Sequence, residues 1–410
     1  MNPTRPPAQR DEPWTWARRE LFSGPVNTVV SVVFGAALAY VAYRIVAFTF
    51  LNTEWEVVRR NLRLFMVGRF PIDDLWRVWA AGYLVVAAIG IGAGVTGAVA
   101  AETAVAKGRP PTRLPTAVAV GRFAPLLVLV VVLVSLTRTV VPGLLAVGAV
   151  ATLLASRTAA HRVPAGRARA LAWLVALGAL VGAFLVLTGF GGVGWDAWGG
   201  LLLTLFATVA GIVLSFPLGI VLAFGRRSRL PAVRWLSGAY IELFRGVPLV
   251  TLLIISQVSL GFFFPTSVDP PSLLARGLIA IVLFESAYMA EVVRGGLQSV
   301  PGGQVEAAQA LGLRRRHVVR RVVLPQALRA VIPATVGQFI SLFKDTSLLG
   351  VVAFFELLRV SQTVLSQPDF RAQGLDAVTL GFAGFIYWVV SYTMSKESRR
   401  LERRLGADRA

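Results

Sequence analysis

Residues 306–325 read Glu306-Ala307-Ala308-Gln309-Ala310-Leu311-Gly312-Leu313-Arg314-Arg315-Arg316-His317-Val318-Val319-Arg320-Arg321-Val322-Val323-Leu324-Pro325, between two long apolar runs. An acidic start, a glycine six residues on and a Leu-Pro stop predict two short helices joined by a tight turn. Gly312 can take the positive φ that ends the first helix, and Pro325 cannot continue the second. Five arginines (Arg314, Arg315, Arg316, Arg320 and Arg321) keep the hairpin in water. Leu311, Leu313, Val318 and Val322 give it an apolar face. Such a hairpin, presented by a membrane protein on one side, is suited to receive mechanical work from a soluble partner.

Outward from that stretch, composition sets the class. Of 410 residues, 56% are hydrophobic and 15% charged, and the mean hydropathy is +0.68. A soluble protein carries about a quarter charged residues. Repeated runs of roughly 20 apolar residues can each cross a bilayer core of about 30 Å as a helix. The fold class is therefore an all-α, polytopic integral membrane protein. Ten helices are predicted, at 25–49, 78–101, 121–137, 140–156, 169–189, 199–224, 238–264, 275–298, 329–355 and 377–395. Arg138 and Pro142 leave 121–156 open between a tight turn and one broken element.

The net charge of +20 could suggest nucleic acid, but the basic residues lie between the apolar runs, as the positive-inside rule describes. Lys107, Arg109 and Arg113, then Arg157, Arg162, Arg167 and Arg169, then Arg226, Arg227, Arg229 and Arg234, alternate with the uncharged-or-acidic connections 190–198 and 265–274. The tail adds Lys396, Arg399, Arg400, Arg403 and Arg404. The expected placement is an inner-membrane protein with both termini and the hairpin cytoplasmic, and no nucleic-acid partner. Residues 50–77 break the rule. They are assigned outside yet hold Arg59, Arg60, Arg63, Arg69 and Arg77. With Trp55, Phe65, Phe70 and Trp76 they suggest a partly interfacial amphipathic stretch.

Other chemistry is excluded or weak. With no cysteine there is no thiolate metal site and no cysteine nucleophile. No Gly-Lys pair occurs, so a P-loop is impossible. Gly92-Ala93-Gly94-Val95-Thr96-Gly97 fits GxGxxG but lies inside an apolar run, where glycines permit close helix packing. His161 and His317 read as solvated loop residues. No metal site is expected.

Taken together, the C-terminal half resembles the permease subunits of ABC importers for polar amino acids, the histidine/glutamine type. The quoted hairpin is similar to the family's cytoplasmic coupling motif, with Val322 where isoleucine is usual. Ser286 to Gly296, the join Leu297 to Gln304, Glu242-Leu243-Phe244-Arg245-Gly246-Val247-Pro248 and Lys344-Asp345-Thr346-Ser347-Leu348 extend the likeness over about residues 197–402. Asn61 to Pro71 with Trp76-Arg77-Val78-Trp79 resembles the long-chain subgroup, the general L-amino-acid permeases. That subgroup implies glutamate, aspartate, glutamine or a broad set of polar amino acids as substrate.

The resemblance implies an organisation: a cytoplasmic tail at 1–24, a membrane extension of about five helices at 25–195, a permease core at 196–398 with the coupling hairpin at 301–326, and a cytoplasmic tail at 399–410. It implies as partners ABC ATPase subunits that bind ATP and Mg, a second permease of a related but different chain, and an extracytoplasmic solute-binding protein. Membrane lipid and the amino acid complete the set. No cofactor is expected in this chain, and no catalytic residue. The ATPase-coupling residues are then Glu306, Ala307, Ala308, Gly312, Leu324 and Pro325. On the residues alone, Glu306 either caps its helix through the helix dipole or serves coupling.

Charged groups at membrane depth supply candidates for the substrate path. Glu285 lies mid-run, where an ionised acid is unfavourable by roughly 3 kcal/mol and faces a partner or a wet cavity. Lys344 follows Leu328 by about 24 Å of helical rise, which sets Lys344, Asp345, Thr346 and Ser347 near the outer side. They line a pocket, or they form an anchor or internal pair. Glu242 and Arg245 are candidates at the outer end of their helix or within it, next to Pro248. Glu291 and Arg294, spaced i, i+3, are expected to pair. A secondary transporter or channel would share the intramembrane charges but not the hairpin. A membrane-embedded enzyme with Glu285 or Asp345 as acid or base would need a convergent catalytic set, which the sequence does not offer.

Overall fold

The computed structural model describes residues 13–51, 53, 55–106, 108, 110, 121, 123–137, 139–189, 191–265, 267–370 and 374–405. Regular structure among them is helical, with two isolated bridges, Gly68 to Trp198 and Gly200 to Glu356. The chain forms two compact units that divide at Trp55 and Glu56.

The first unit holds α1 (Pro13–Glu20) and α2 (Pro25–Val46). Pro25 opens α2, where its missing N–H costs nothing. None of its residues is buried, which suits an apolar helix of about 33 Å surrounded by lipid.

The second unit begins with α3 (Glu56–Arg60) and α4 (Leu62–Val67), then α5 (Leu75–Ala106), α6 (Ala124–Ser135), α7 (Val141–His161) and α8 (Arg167–Thr188). The helices α7 and α8 each pack on α5. Gly94 of α5 shows why the small residues are there: a Cβ at that position would lie 2.4 Å from the Arg157 carbonyl of α7. The GxGxxG match is thus a packing seam, as expected. His161 is not in a solvated loop: it ends α7, half-buried, with Nδ1 3.4 Å from the Gly94 carbonyl.

The remaining elements are α9 (Gly200–Arg226), α10 (Pro231–Gly246), α11 (Leu249–Ser259), α12 (Leu273–Gln298), α13 (Gly302–Ala310), α14 (Arg315–Val318), α15 (Leu324–Asp345), α16 (Leu357–Thr363) and α17 (Leu375–Leu405). The helices α9, α12, α15 and α17 make the centre. Leu203, Ala207, Leu253, Leu274, Ile281, Leu342 and Leu349 are buried together towards one end. Leu222, Ala223, Ile241, Ala290, Val293 and Val331 do the same towards the other.

Eight helices among the described residues are long and apolar enough to cross a membrane, and a bent pair makes a possible ninth. Two expected crossings take another form. Of residues 121–137, the described ones hold the 12-residue α6, about 18 Å long. Residues 238–264 are not one straight helix but α10 and α11, bent by 104°. The cause is Pro248: the residue before a proline is driven out of the α region, and Val247 is extended, with φ −104° and ψ 133°. Arg138 lies outside the described residues; Pro142 sits in the first turn of α7.

Residues 56–70 also depart from expectation. Instead of an interfacial amphipath they form a wedge on the core: Val57, Val58, Phe65 and Phe70 are fully buried or nearly so. Phe65 meets Phe382 edge-on at 5.1 Å.

Candidate functional site

The hairpin is built by its backbone. Helix α13 ends in a Schellman turn: Gly312, at φ +75°, donates its N–H to the Gln309 carbonyl (2.9 Å), and Leu313 donates to Ala308 (3.2 Å). Ala308 and Val318 are buried and fasten the hairpin to its own base. Glu306, in the second turn of α13, and Ala307 are exposed. Leu311 projects with 82% of its surface free, among the exposed Arg314, Arg315, Arg316, Arg320 and Arg321. The result is a fixed platform with an apolar tip and a basic rim.

The expected stop at Leu324-Pro325 is not a stop. The chain passes from α14 through a π-helical turn, Val319–Val323, straight into α15, and Pro325 lies in the first turn of that helix. A first-turn N–H has no intrahelical partner, so the proline is tolerated there. The hairpin and α15 are therefore mechanically continuous. Both Leu324 and Pro325 are exposed.

Glu285 is 1% exposed in the middle of α12. Its Oε2 accepts a hydrogen bond from Gln338 Nε2 of α15 at 2.8 Å, while Oε1 has no hydrogen-bond partner. Asp345, at the far end of α15, is near enough to act on it electrostatically. The four residues 344–347 do not share one surface. Lys344 is exposed in a shallow groove of about 480 Å³ between α15 and α17, with Ile340, Tyr387, Trp388, Ser391, Tyr392 and Ser395. Thr346 instead faces inward, fully buried, and its hydroxyl donates to the Phe343 carbonyl at 2.7 Å. Asp345 and Ser347 are half-buried.

Glu242 and Arg245 lie elsewhere than expected. The bend at Val247 turns α10 back towards the hairpin end, where α9 and α12 finish. Arg226 reaches Glu242 (2.7 Å) and Glu291 (3.0 Å). Arg245 lies 3.8 Å from Glu291 and over the Tyr288 ring at 5.4 Å. Arg294 pairs with Glu291 at 2.6 Å, the expected i, i+3 contact. One carboxylate thus ties α9, α10 and α12 together. These are contacts between helices, remote from the Lys344 groove.

Sequence reading missed the aromatic wall of the groove. Trp388 and Tyr392 stack at 5.3 Å, and the i, i+4 spacing of two aromatics beside Ser391 was the available signal. It also missed Glu356, which is fully buried and caps α16 by accepting from the Leu358 and Arg359 N–H groups. Tyr387 donates to it at 3.1 Å. Burial pushes the Glu356 carboxyl up to about 7, against the opposing effect of these hydrogen bonds.

Fold and site together define a multi-pass membrane permease with ionisable groups in its core and a rigid hairpin at one end. Residues 215–405 match the family described as binding-protein-dependent transport system inner membrane component. Over 425 residues, 96% of this chain and 94% of the other, it is 33% identical to the glutamate/glutamine/aspartate/asparagine transport system permease protein BztC of Rhodobacter capsulatus. It is 46% identical to the inner membrane amino-acid ABC transporter permease protein YhdY of Escherichia coli over 214 residues, 52% of this chain and 57% of that one. The probable glutamine ABC transporter permease protein GlnP of Bacillus subtilis is 35% identical over 50% of this chain and 91% of its own length. The chain belongs to the amino-acid ABC transporter permeases of this binding-protein-dependent family.

Proposed function

We propose that this chain is one permease subunit of an importer that carries polar L-amino acids of the glutamate, glutamine and aspartate kind into the cytoplasm. The observation that carries the reading is the hairpin. It is a backbone-locked platform continuous with α15, the helix that bears Gln338 at Glu285 and Lys344 at the groove. Motion imposed on the hairpin reaches both positions through one helix. ATP and Mg are bound by separate ATPase subunits docked at the hairpin, on the cytoplasmic side, where both termini also lie. A solute-binding protein delivers the amino acid at the opposite end, and a related but different permease completes the path. The substrate class is supported by the likeness to BztC over nearly the whole chain.

Within the path, an amino acid leaving water needs replacements for its hydration. Lys344 supplies a cation for a carboxylate. Trp388 and Tyr392 offer ring faces to an ammonium group, and Glu285 and Asp345 supply carboxyl oxygens deeper in. Glu242 and Arg245 serve instead to hold α10 against α9 and α12.

The test is uptake in proteoliposomes holding the assembled complex. Radiolabelled glutamate, glutamine and aspartate should accumulate only with internal or external ATP at the ATPase face and with the binding protein present. Uptake that follows an ion gradient without ATP would instead establish a secondary transporter.

A further inference from the structure

We propose that the exposed arginines of α3 and α4 form a docking surface for an acidic face of the extracytoplasmic solute-binding protein. The proposal rests on the importer reading above and locates one of its partners.

Two observations carry it. The first is the charge distribution. Residues 56–70 hold four arginines against one glutamate, at the end of the bundle opposite the hairpin. There Gly68 bridges to Trp198 just before α9 and the Phe65 backbone lies against Gly200, while Arg69 and Phe65 reach the segment before α16 and the first turns of α17. Elsewhere at this end of the bundle the described arginines stand singly, as Arg276 and Arg359 do, and a cluster of arginines beyond the membrane opposes the bias that orients the chain. Binding to an acidic partner is a use that offsets this conflict.

The second is rigidity. Helices of five and six residues do not persist alone in water. Here they are held by Val57, Val58 and Phe65, all at most 1% exposed, and by Asn61, whose side-chain oxygen accepts from Gln367 at 2.9 Å. Arg69 lies over the Phe355 ring at 4.5 Å. Arg60 is held by Glu56 at 2.8 Å and lies over the Phe370 ring at 5.9 Å. Arg59 in α3 and Arg63 in α4, on either side of the break at Asn61, are both exposed. The apolar face is used up in seating the wedge, and the basic face points away from it. Charges presented on a fixed frame lose little freedom on binding, which favours recognition over a floppy basic loop. Asp73 and Asp369 are also exposed nearby, so the surface discriminates by pattern as well as sign.

The experiment uses the assembled complex in nanodiscs of zwitterionic lipid, with ATP hydrolysis measured as the binding protein is titrated. In Arg59→Glu/Arg63→Glu the concentration giving half-maximal stimulation should rise roughly three- to tenfold at low salt and converge on wild type at about 0.5 M salt. The maximal rate should be unchanged, and Arg59→Lys/Arg63→Lys should stay near wild type. An unchanged half-maximal concentration in the Glu variant overturns the docking surface. A shift that appears only when anionic lipid is added also overturns it, and assigns the arginines to lipid headgroups. A wild-type complex that no binding protein stimulates would refute the importer reading itself.

Discussion

Replacing Gly312 by valine separates backbone geometry from packing. A Cβ built at Gly312 meets no atom within 4 Å, so the substitution adds no clash with neighbours. Its effect comes from φ +75°, a conformation that costs an L-residue about 1–2 kcal/mol and a β-branched one more. If the turn relaxes, the Gly312–Gln309 and Leu313–Ala308 hydrogen bonds are lost, each with a net contribution of about 0.5–1.5 kcal/mol. The strain alone should thus weaken the native turn by about 1–2 kcal/mol or somewhat more relative to other hairpin geometries, enough to populate a displaced platform that lacks those two bonds. The global fold should survive, because Gly312 itself is exposed. In Gly312→Val, ATP-driven uptake should fall at least about tenfold, as a shift of 1.4 kcal/mol implies, while membrane insertion is unchanged. Gly312→Asn, which tolerates positive φ, should retain most activity. Wild-type uptake in the valine variant, or equal damage by asparagine and valine, would refute the reasoning.

Two further outcomes are expected. Lys344→Ala should lower glutamate and glutamine uptake several-fold without reducing co-purification with the ATPase; proportional loss of complex and uptake would make Lys344 an anchor. In this cysteine-free chain, Ser267→Cys should react with an impermeant thiol reagent in intact cells and Ser299→Cys should be protected. The reverse pattern would invert the topology.

The all-α membrane class was legible because every backbone N–H and C=O in lipid must be satisfied locally, which leaves apolar helical runs as a direct sequence signal. The turn at Gly312 was legible for a similar reason, since a positive φ is a property of one residue and its neighbours. Family membership could also be read from ordered local motifs, and the likeness to relatives bears it out.

What only the tertiary structure decided depends on contacts between distant segments. The bend at Val247 sends Glu242 and Arg245 to Arg226 and Glu291, because a charge pairs with whatever the fold brings near. The split of Lys344 from Thr346 follows from helical rotation: residues two apart point to different faces, so a contiguous motif cannot line one wall. The seat of Val57, Val58 and Phe65 was invisible because an amphipathic stretch reads alike whether its apolar face meets lipid or protein. Periodicity reports that a face is apolar; the surface it buries against is set by the rest of the chain.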